Sequence, residues 1–486
     1  MAQVILLYPQ TGDKSFGSIV WPLSLLYVAG PLVEQGISVR LIDQRTDPAW
    51  EQNLAMELSK GEVVCVGIST MTGYQIKAGL KVAHLVRVLA PSLPIVWGGV
   101  HPTLLPEQTL AHPLVDIVAI GEGDYTLADL VPVLRDGGDL ASVKGIGFKM
   151  MGRSVITEPR ERPDLDALPP LPYHLVDVAK YLPEPLGLND SGLSLQTSRG
   201  CPFRCAYCYN TAAFQRQWRG MSPERVVDQI QLLVGRFGVK SVYLLDDNFF
   251  ASTTRVRDII ELLKERGLQI AIHNANMRID FAYRADPSLL QAIREAGMQK
   301  VLIGVESGSE RMLQVMKKDI TRKQVLVASQ KIKAASIFPC YNFLTGIPGE
   351  TIEDTKETLQ LMSQLLENDP NAYTSKLYMF APYPGTEFYE VARQAGMPMP
   401  QRFEEWCGMD FDSVDYVMFT PEELRFFSDM AELSPYLHTK FVAATSPFKI
   451  WSREVLARVL RWRFRHRLYH FLLELPFVRW THKRGN

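Results

Sequence analysis

Twice along this chain, apolar runs of strand length alternate with helix-length amphipathic segments, and a proline-rich stretch separates the two series. In the first series Val4–Tyr8, Ser38–Asp43, Val63–Ser69, Pro94–Gly98 and Asp116–Gly121 read as strands, with segments such as Pro22–Gln35 and Ile76–Leu89 as helices between them. Repeated strand-then-helix units predict a doubly wound parallel sheet over residues 1–140. The connector, 141–190, carries Pro163, Pro169, Pro170, Pro172, Pro183 and Pro185. The second series runs Leu193–Thr197, Ser241–Leu245, Gln269–Ala275, Val301–Val305, Phe338–Thr345 and Ser375–Phe380. Six such units over 191–400 fit a partial (β/α)6 barrel. Residues 401–486 are expected to be a helical region ending in a basic amphipathic tail. The class is therefore α/β, and 486 residues are too many for one ordinary core.

Both architectures bind ligands beyond the C-terminal ends of their strands. In the first half those ends carry Ser69-Thr70-Met71-Thr72-Gly73, Gly98-Gly99-Val100-His101-Pro102-Thr103 and Gly121-Glu122-Gly123. In the second half the first strand runs into Ser198-Arg199-Gly200-Cys201-Pro202-Phe203-Arg204-Cys205-Ala206-Tyr207-Cys208. Of the six cysteines, Cys65, Cys340 and Cys407 are scattered and three crowd into eight residues, a pattern of metal or redox chemistry rather than of a disulfide framework. The spacing C-x3-C-x2-C lets one loop wrap three corners of an iron–sulfur cube. Ordinary clusters take four thiolates, and no fourth cysteine lies nearby. One iron is then open to a small molecule, and the amino and carboxylate groups of a methionine can chelate it. An electron passed through that contact would break a sulfonium C–S bond. A zinc knuckle is the competing reading, but structural zinc takes four N or S ligands and the nearest histidine, His174, lies upstream. No GxxxxGKS or GxSxG motif offers another mechanism.

The cysteine loop resembles that of the radical S-adenosylmethionine superfamily, and the likeness extends over about residues 190–400. It implies a [4Fe–4S] cluster on Cys201, Cys205 and Cys208, with S-adenosyl-L-methionine as cofactor. It also implies that Tyr207 lies near the adenine and that Asp246-Asp247-Asn248 contacts the cofactor's amino group, although helix capping explains the latter residues equally well. Glu306 would hold the ribose or methionine moiety, and Gly346 and Gly349 in Gly-Ile-Pro-Gly-Glu-Thr would form an adenine-side loop. Asn274, Asn276 and Arg278 end the third strand and face cofactor or substrate. Residues 1–140 resemble the cobalamin-binding domain fused ahead of many radical enzymes, which implies cofactor contacts from Ser69, Thr72, Gly98, Gly99, His101, Gly121 and Glu122. One departure stands out: the Pro9–Trp21 loop has no histidine where cobalt-coordinating domains carry Asp-x-His-x-x-Gly. His101 and His84 remain, and a lone histidine is more often packed or exposed than a ligand.

Together the halves resemble the cobalamin-dependent radical methyltransferases and the anaerobic magnesium-protoporphyrin IX monomethyl ester cyclase, with Pro382–Phe388 in keeping. The expected function is methylation of an unactivated carbon. The alternatives are oxidative cyclisation or hydroxylation of a tetrapyrrole-like or lipid substrate, and a non-enzymatic iron–sulfur redox sensor. Methylthiolation of transfer RNA needs an N-terminal cysteine triplet, and residues 1–190 hold only Cys65. The family implies a flavodoxin- or ferredoxin-type electron donor. A net charge of −1 gives no nucleic-acid footprint, and with neither a signal peptide nor a membrane span the cytoplasm is the expected compartment. The tail, 448–486, has a balance of +8 with interleaved aromatics. Its Val455–Leu473 segment predicts either an interfacial helix touching a membrane through Leu456, Val459, Leu460, Phe464, Leu468, Phe471 and Leu472, or a helix packed on the barrel.

Overall fold

The first strand, β1 (Val4–Tyr8), reads Val-Ile-Leu-Leu-Tyr, and four of its five residues are buried. A strand with no polar face belongs in the middle of a sheet covered on both sides. The computed structural model, which describes residues 3–12, 20–182, 192–409, 416–439, 447–470, 472–476 and 478–479, places it there. Its neighbours are β2 (Val39–Asp43) and β3 (Cys65–Ser69), followed by β4 (Ile95–Gly98) and β5 (Ile117–Ala119), all parallel. The crossovers are α1 (Leu23–Glu34), α2 (Trp50–Leu58), α3 (Tyr74–Leu89), and the pair α4 (Val100–Leu104) and α5 (Pro106–Ala111); α6 (Thr126–Asp136) follows β5. The five expected strands are all present.

The sheet does not stop at residue 140. β6 (Ile146–Met150) and β7 (Arg153–Ile156) extend it antiparallel in the order β2-β1-β3-β4-β5-β6-β7. Met151 and Gly152 turn this hairpin, both with positive φ, as a two-residue type I′ turn demands. Met-Gly lacks the Asn-Gly or Asp-Gly look of such turns, so the stretch reads as linker in sequence. The first compact unit runs over residues 1–194 and takes in 398–414, which corrects the expected boundaries at 140 and 400. Pro183 and Pro185 of the connector lie outside the described residues.

The second unit, 195–397 with 415–486, carries the barrel strands. They are β8 (Gly192–Leu195, whose last residue opens the unit), β11 (Ser241–Leu244), β12 (Ala271–His273) with β13 (Ala275–Met277), β14 (Lys300–Glu306), β15 (Phe338–Thr345) and β16 (Tyr373–Met379). A minor antiparallel pair, β9 (Ser198–Arg199) with β10 (Arg219–Gly220), sits between β8 and β11. The third barrel strand is one run in sequence but two in space: Asn274 takes φ +61° and splits it, giving sheets β12-β11-β8 and β13-β14-β15-β16. A bridge from Ile272 to Met298 ties the halves across the break. Helices separate the strands: α7 (Asn210–Ala213), α8 (Pro223–Phe237), α9 (Thr253–Glu265), α10 (Ile279–Arg284), α11 (Pro287–Glu295), α12 (Glu310–Val315), α13 (Arg322–Ala334), α14 (Ile352–Asn368) and α15 (Glu387–Gln394). Then come α16 (Pro421–Leu433) and α17 (Pro447–Arg465).

In the tail, α17 begins earlier than Val455 and ends at Arg465, where Arg467 takes φ +58° and Leu468 N–H returns to the Arg463 carbonyl. Ala457, Leu460 and Phe464 are buried, and the helix packs on α14 and on the turn Ser434–Leu437. Arg465 pairs with Glu367 at 2.6 Å and Arg467 with Glu353 at 2.6 Å. Leu460 and Phe464 of the apolar face read as membrane-seeking are therefore spent inside the unit. Val459 and Leu468 of that face are exposed, as are Trp451, Val455 and Trp462. Phe471, Phe477, Trp480, Lys483 and Arg484 lie outside the described residues. Among the described residues no helix is long and apolar enough to cross a membrane.

Candidate functional site

The cysteine loop leaves β8 and is fastened at both ends before it reaches its first thiol. β9 and β10 pair Arg199 with Arg219 and Ser198 with Gly220, closing the loop's neck. Gly200 takes φ +79°, and a Cβ there would collide with the Gln217 backbone, so only glycine passes this point. Asp246, fully buried at the end of β11, accepts from Thr197 N–H, Thr197 Oγ1 and Ser198 Oγ, each at 2.6 Å. Burial pushes its carboxyl above the usual range, against the pull of those bonds. Asp247 accepts from Gly200 N–H (2.9 Å), Tyr209 OH (2.8 Å) and Asn210 Nδ2 (3.1 Å). Arg255 completes the wiring by donating to the Thr197 carbonyl at 2.8 Å and the Met221 carbonyl at 2.7 Å. Both aspartates are thus turned onto the loop's backbone and side chains. Helix capping is not their role either, since Ser252 caps α9.

Each of the three thiols receives a side-chain N–H, and Cys201 and Cys208 also a backbone N–H from Phe203 and Asn210. Asn248 Nδ2 donates to Cys201 Sγ (3.9 Å), Arg278 Nη1 to Cys205 Sγ (3.7 Å) and Asn210 Nδ2 to Cys208 Sγ (3.8 Å). Sulfur ligands of iron are held and tuned by such donors. Burial pushes the Cys208 thiol up to about 12 and raises Cys201, so binding of a metal group must displace their protons. Among the described residues no three His, Cys, Asp or Glu side chains converge on a single ion. A cube needs no such convergence, because each thiolate sits on its own iron. Three thiols on one loop, each with its own donor and without a fourth thiolate, fit a [4Fe–4S] cluster with one open iron. The other thiols stand apart: Cys340 is buried and Cys407 lines a groove with Trp50, Lys77, His84 and Glu404.

On one side of the loop lies a buried polar group that the sequence shows only in part. Glu306, at the end of β14, is held at φ +72°, a strained backbone for a side-chain-bearing residue. Its Oε1 accepts from Lys318 Nζ at 2.8 Å, and Lys318 also donates to Tyr207 OH at 3.0 Å. Burial first, and then the Glu306 carboxylate, hold the Tyr207 phenol protonated far above its ordinary range. The backbone around Lys318 clasps the loop: Ala206 N–H donates to the Met316 carbonyl, Arg278 Nη2 to the Lys318 carbonyl, and Arg204 pairs with Asp319 at 2.9 Å. Lys318 escaped the sequence reading because it sits in a connecting loop and carries no motif. Asn276 Nδ2 donates to the Asp246 carbonyl at 2.7 Å, so it too supports the loop. Beyond β15, Gly346 and Gly349 take φ +71° and +81°, and buried Glu350 fixes their turn by accepting from Ile347 N–H, Thr345 Oγ1 and Thr355 Oγ1. Burial pushes the Glu350 carboxyl up to about 7.

In the first unit the strand-end residues split into two kinds. Gly99 takes φ +102°, and a Cβ would fall within 2.9 Å of the Thr70 amide nitrogen and closer to its carbonyl, so its glycine serves the crossing of two strand ends. His101 is fully buried against Phe403 and Trp406, and its Nδ1 meets Thr72 Oγ1 at 3.0 Å. Burial drops its pKa to about 3, so the ring is neutral. Gly98 packs toward Ala119. Gly121, at φ +83° with nothing within 4 Å of its absent Cβ, is open to a ligand, Glu122 beside it is half-exposed, and the Ser69 hydroxyl lies 3.4 Å from Ser24 Oγ. That open ledge beyond the strand ends, bare of any exposed histidine in the residues it comprises, fits the tail of a cobalamin. His84 lies apart on α3, exposed. Residues 13–19 of the Pro9–Trp21 loop lie outside the described residues.

Comparison with known proteins agrees with both units. The model of the radical SAM superfamily matches residues 195–362, and that of the B12 binding domain matches residues 12–131. An uncharacterized methyltransferase of Pyrococcus horikoshii is 30% identical over 451 residues, covering 90% of this chain and 93% of that one. The anaerobic magnesium-protoporphyrin IX monomethyl ester cyclase of a Synechocystis strain is 28% identical over 391 residues, covering 80% of this chain and 76% of that one. Among solved structures, the cobalamin-dependent S-adenosylmethionine radical enzyme OxsB, with aqua-cobalamin and S-adenosylmethionine bound, aligns with a TM-score of 0.75 at 19% identity, over 100% of this chain and 75% of that one. The chain belongs to the radical S-adenosylmethionine enzymes that carry a B12-binding domain ahead of the radical SAM domain.

Proposed function

We propose that this enzyme transfers a methyl group to an unactivated carbon of a small-molecule or lipid-like substrate. The observation that carries the reading is the cysteine loop: three thiols, each with a side-chain N–H donor, no fourth thiolate, and a buried Tyr207–Lys318–Glu306 group beside them. When bound, the cluster supplies the electron that splits S-adenosylmethionine, and cobalamin supplies the methyl group. The chain's own residues orient and enclose. Glu306 and Lys318 present opposite charges to the amino, carboxylate or ribose groups of the cofactor, while Tyr207, Gly346 and Gly349 offer an aromatic face and bare backbone for the nucleoside. Asp246 and Asp247 act indirectly, by holding the thiols in place. In the first unit Ser69, Thr72, Gly98, Gly121 and Glu122 edge the ledge assigned to the cobalamin tail, with Gly99 and His101 shaping it from beneath. The Pro9–Trp21 loop would offer a bound cobalamin no imidazole, since it has no histidine.

A one-electron donor of the flavodoxin or ferredoxin type and a cytoplasmic setting complete the reading, in keeping with six free thiols and a reducing compartment. The exposed stripe Trp451, Val455, Val459 and Trp462 supports a subordinate reading in which α17 touches a membrane, which flotation with anionic vesicles tests. The principal experiment is anaerobic reconstitution with iron, sulfide and cobalamin, followed by turnover with methyl-labelled S-adenosylmethionine and mass analysis of the product. A product bearing the label supports methyl transfer. An unlabelled product that has lost hydrogen favours the cyclase alternative, for which the 28%-identical relative speaks. Absence of any cofactor cleavage contradicts both and leaves the redox sensor.

A further inference from the structure

The two sides of the cysteine loop are not alike. Tyr207 faces the Glu306–Lys318 pair, where the cofactor is assigned, whereas Phe203 and Arg278 border a separate cavity of about 170 Å³. Phe203, Asn248, Arg257, Arg278, Asp280 and Arg284 line it. Two of these are the residues that donate to Cys201 and Cys205, so the cavity wall stands one hydrogen bond from two of the three thiols. Arg278 is fixed on every side. Its guanidinium lies 3.6 Å from the centroid of the Phe203 ring, its Nε donates to Asp280 at 2.9 Å, and its Nη2 holds the Lys318 carbonyl at 2.7 Å. A group so held is poorly built to release a substrate and well built to carry charge at a constant distance from sulfur.

The surroundings of the cavity are cationic. Arg257 is exposed and has no carboxylate partner among the described residues. Arg284 is 69% exposed although it pairs with Asp280 at 2.7 Å. Against Arg257, Arg278 and Arg284 stand Asp280, which is buried, and exposed Asp286. A surface of this sign attracts a partner with an acidic face and speeds its encounter.

We propose that this arginine-lined cavity is the docking and electron-entry site for a protein one-electron donor with an acidic redox face, a proposal that rests on the cluster reading above. The donor loses one electron and the [4Fe–4S] group gains it, passing from the 2+ to the 1+ state; no bond or proton moves. Phe203, Asn248 and Arg278 provide the shortest hydrogen-bonded contact from the cavity to sulfur, and the Arg278 cation offsets the negative charge that arrives. Reduction thus proceeds through the cavity wall while the cofactor is held at the Glu306–Lys318 pair.

The test is anaerobic stopped-flow reduction of the reconstituted full chain, by a reduced flavodoxin and separately by dithionite. The double variant Arg257→Glu with Arg284→Gln is compared with the unaltered chain, and Arg458→Glu on α17 is the control. At low ionic strength the flavodoxin-driven rate of the double variant should fall about tenfold or more, with the gap closing as salt rises. Its iron content and its dithionite-driven rate should match those of the unaltered chain, and the control should change nothing. Equal flavodoxin-driven rates in both chains overturn the docking site and leave the cluster reading intact. Equal slowing with both reductants also overturns it, by placing the arginines in the integrity of the cluster. Failure of the unaltered chain to take up about four irons strikes the cluster reading instead.

Discussion

The cysteine loop of the second unit and the strand ends of the first unit both carry a ligand-binding pattern in sequence, but they are built differently. Around the loop, polar side chains from five separate elements converge: Asp246 and Asp247 after β11, Asn210 in α7, Arg278 after β13, Glu306 in β14, and Lys318 after α12. At the strand ends of the first unit the work is done by backbone and by apolar packing. Gly99 lets two strand ends cross, and His101 fills a slot against Phe403 and Trp406. The contrast follows from the ligands. A small, highly charged cluster must be fixed by bonds to each of its thiolates, whereas the tail of a large cofactor needs space and an unobstructed backbone.

The largest effect expected from this contrast lies at Asp246. Asp246→Ala leaves three donors on Thr197 and Ser198 buried without an acceptor and should destabilise the second unit by on the order of 3–5 kcal/mol. Denaturant unfolding measures it, with the first unit's transition unmoved. A cost below about 1 kcal/mol, with cofactor affinity lost, would instead make Asp246 a ligand-facing residue.

The loop's chemistry was legible because it is local: three cysteines within eight residues state their spacing outright. The network behind them was not, because hydrogen bonds such as Lys318 to Tyr207 join residues 111 apart. Asp246, Asp247 and Glu306 could be placed at strand ends by pattern, yet pattern does not say whether a carboxylate turns to a ligand or to its own backbone. The β6–β7 hairpin went unread since its Met-Gly turn lacks the usual residue signal, and residues 398–414 joined the first unit without any mark in composition. In the tail, helical periodicity found the helix, but it could not say that Leu460 and Phe464 pack inside the unit while Val459 and Leu468 of the same face stay exposed.

Glycine substitutions sharpen the comparison at smaller cost. Gly99 sits at φ 102° and ψ −168°, a region that side-chain-bearing residues essentially avoid. Gly99→Ala adds a collision with Thr70 and should destabilise the first unit by about 2–4 kcal/mol. Gly121→Ala meets no neighbouring atom, so it should cost only about 1 kcal/mol of stability. Thermal unfolding and cobalamin titration read the pair. Gly121→Ala should fold and yet bind cobalamin more weakly; unchanged binding would remove Gly121 from the ledge.

The smallest effect separates the units by pH. His101 is held neutral, its pKa lowered to about 3 by burial from an unfolded value near 6.5. Below about pH 6.5 the unfolded chain binds the extra proton, so the first unit should lose about 1 kcal/mol per pH unit as pH falls. Glu350 behaves oppositely. Its carboxyl is raised to about 7 by burial from about 4.5, so the folded form binds more protons between those values. The second unit should therefore lose stability as pH rises through that window. Hydrogen exchange on the cofactor-free chain resolves the two slopes. Glu350→Gln should flatten the second and leave the first, and parallel slopes in both units would refute the assignment.

The most direct test of the central claim is iron and sulfide content after anaerobic reconstitution. The unaltered chain should hold about four of each, and so should Cys340→Ala and Cys407→Ala. Replacement of Cys201, Cys205 or Cys208 by Ala should abolish the cluster and all cleavage of S-adenosylmethionine. A full cluster retained when all three are replaced would contradict the account.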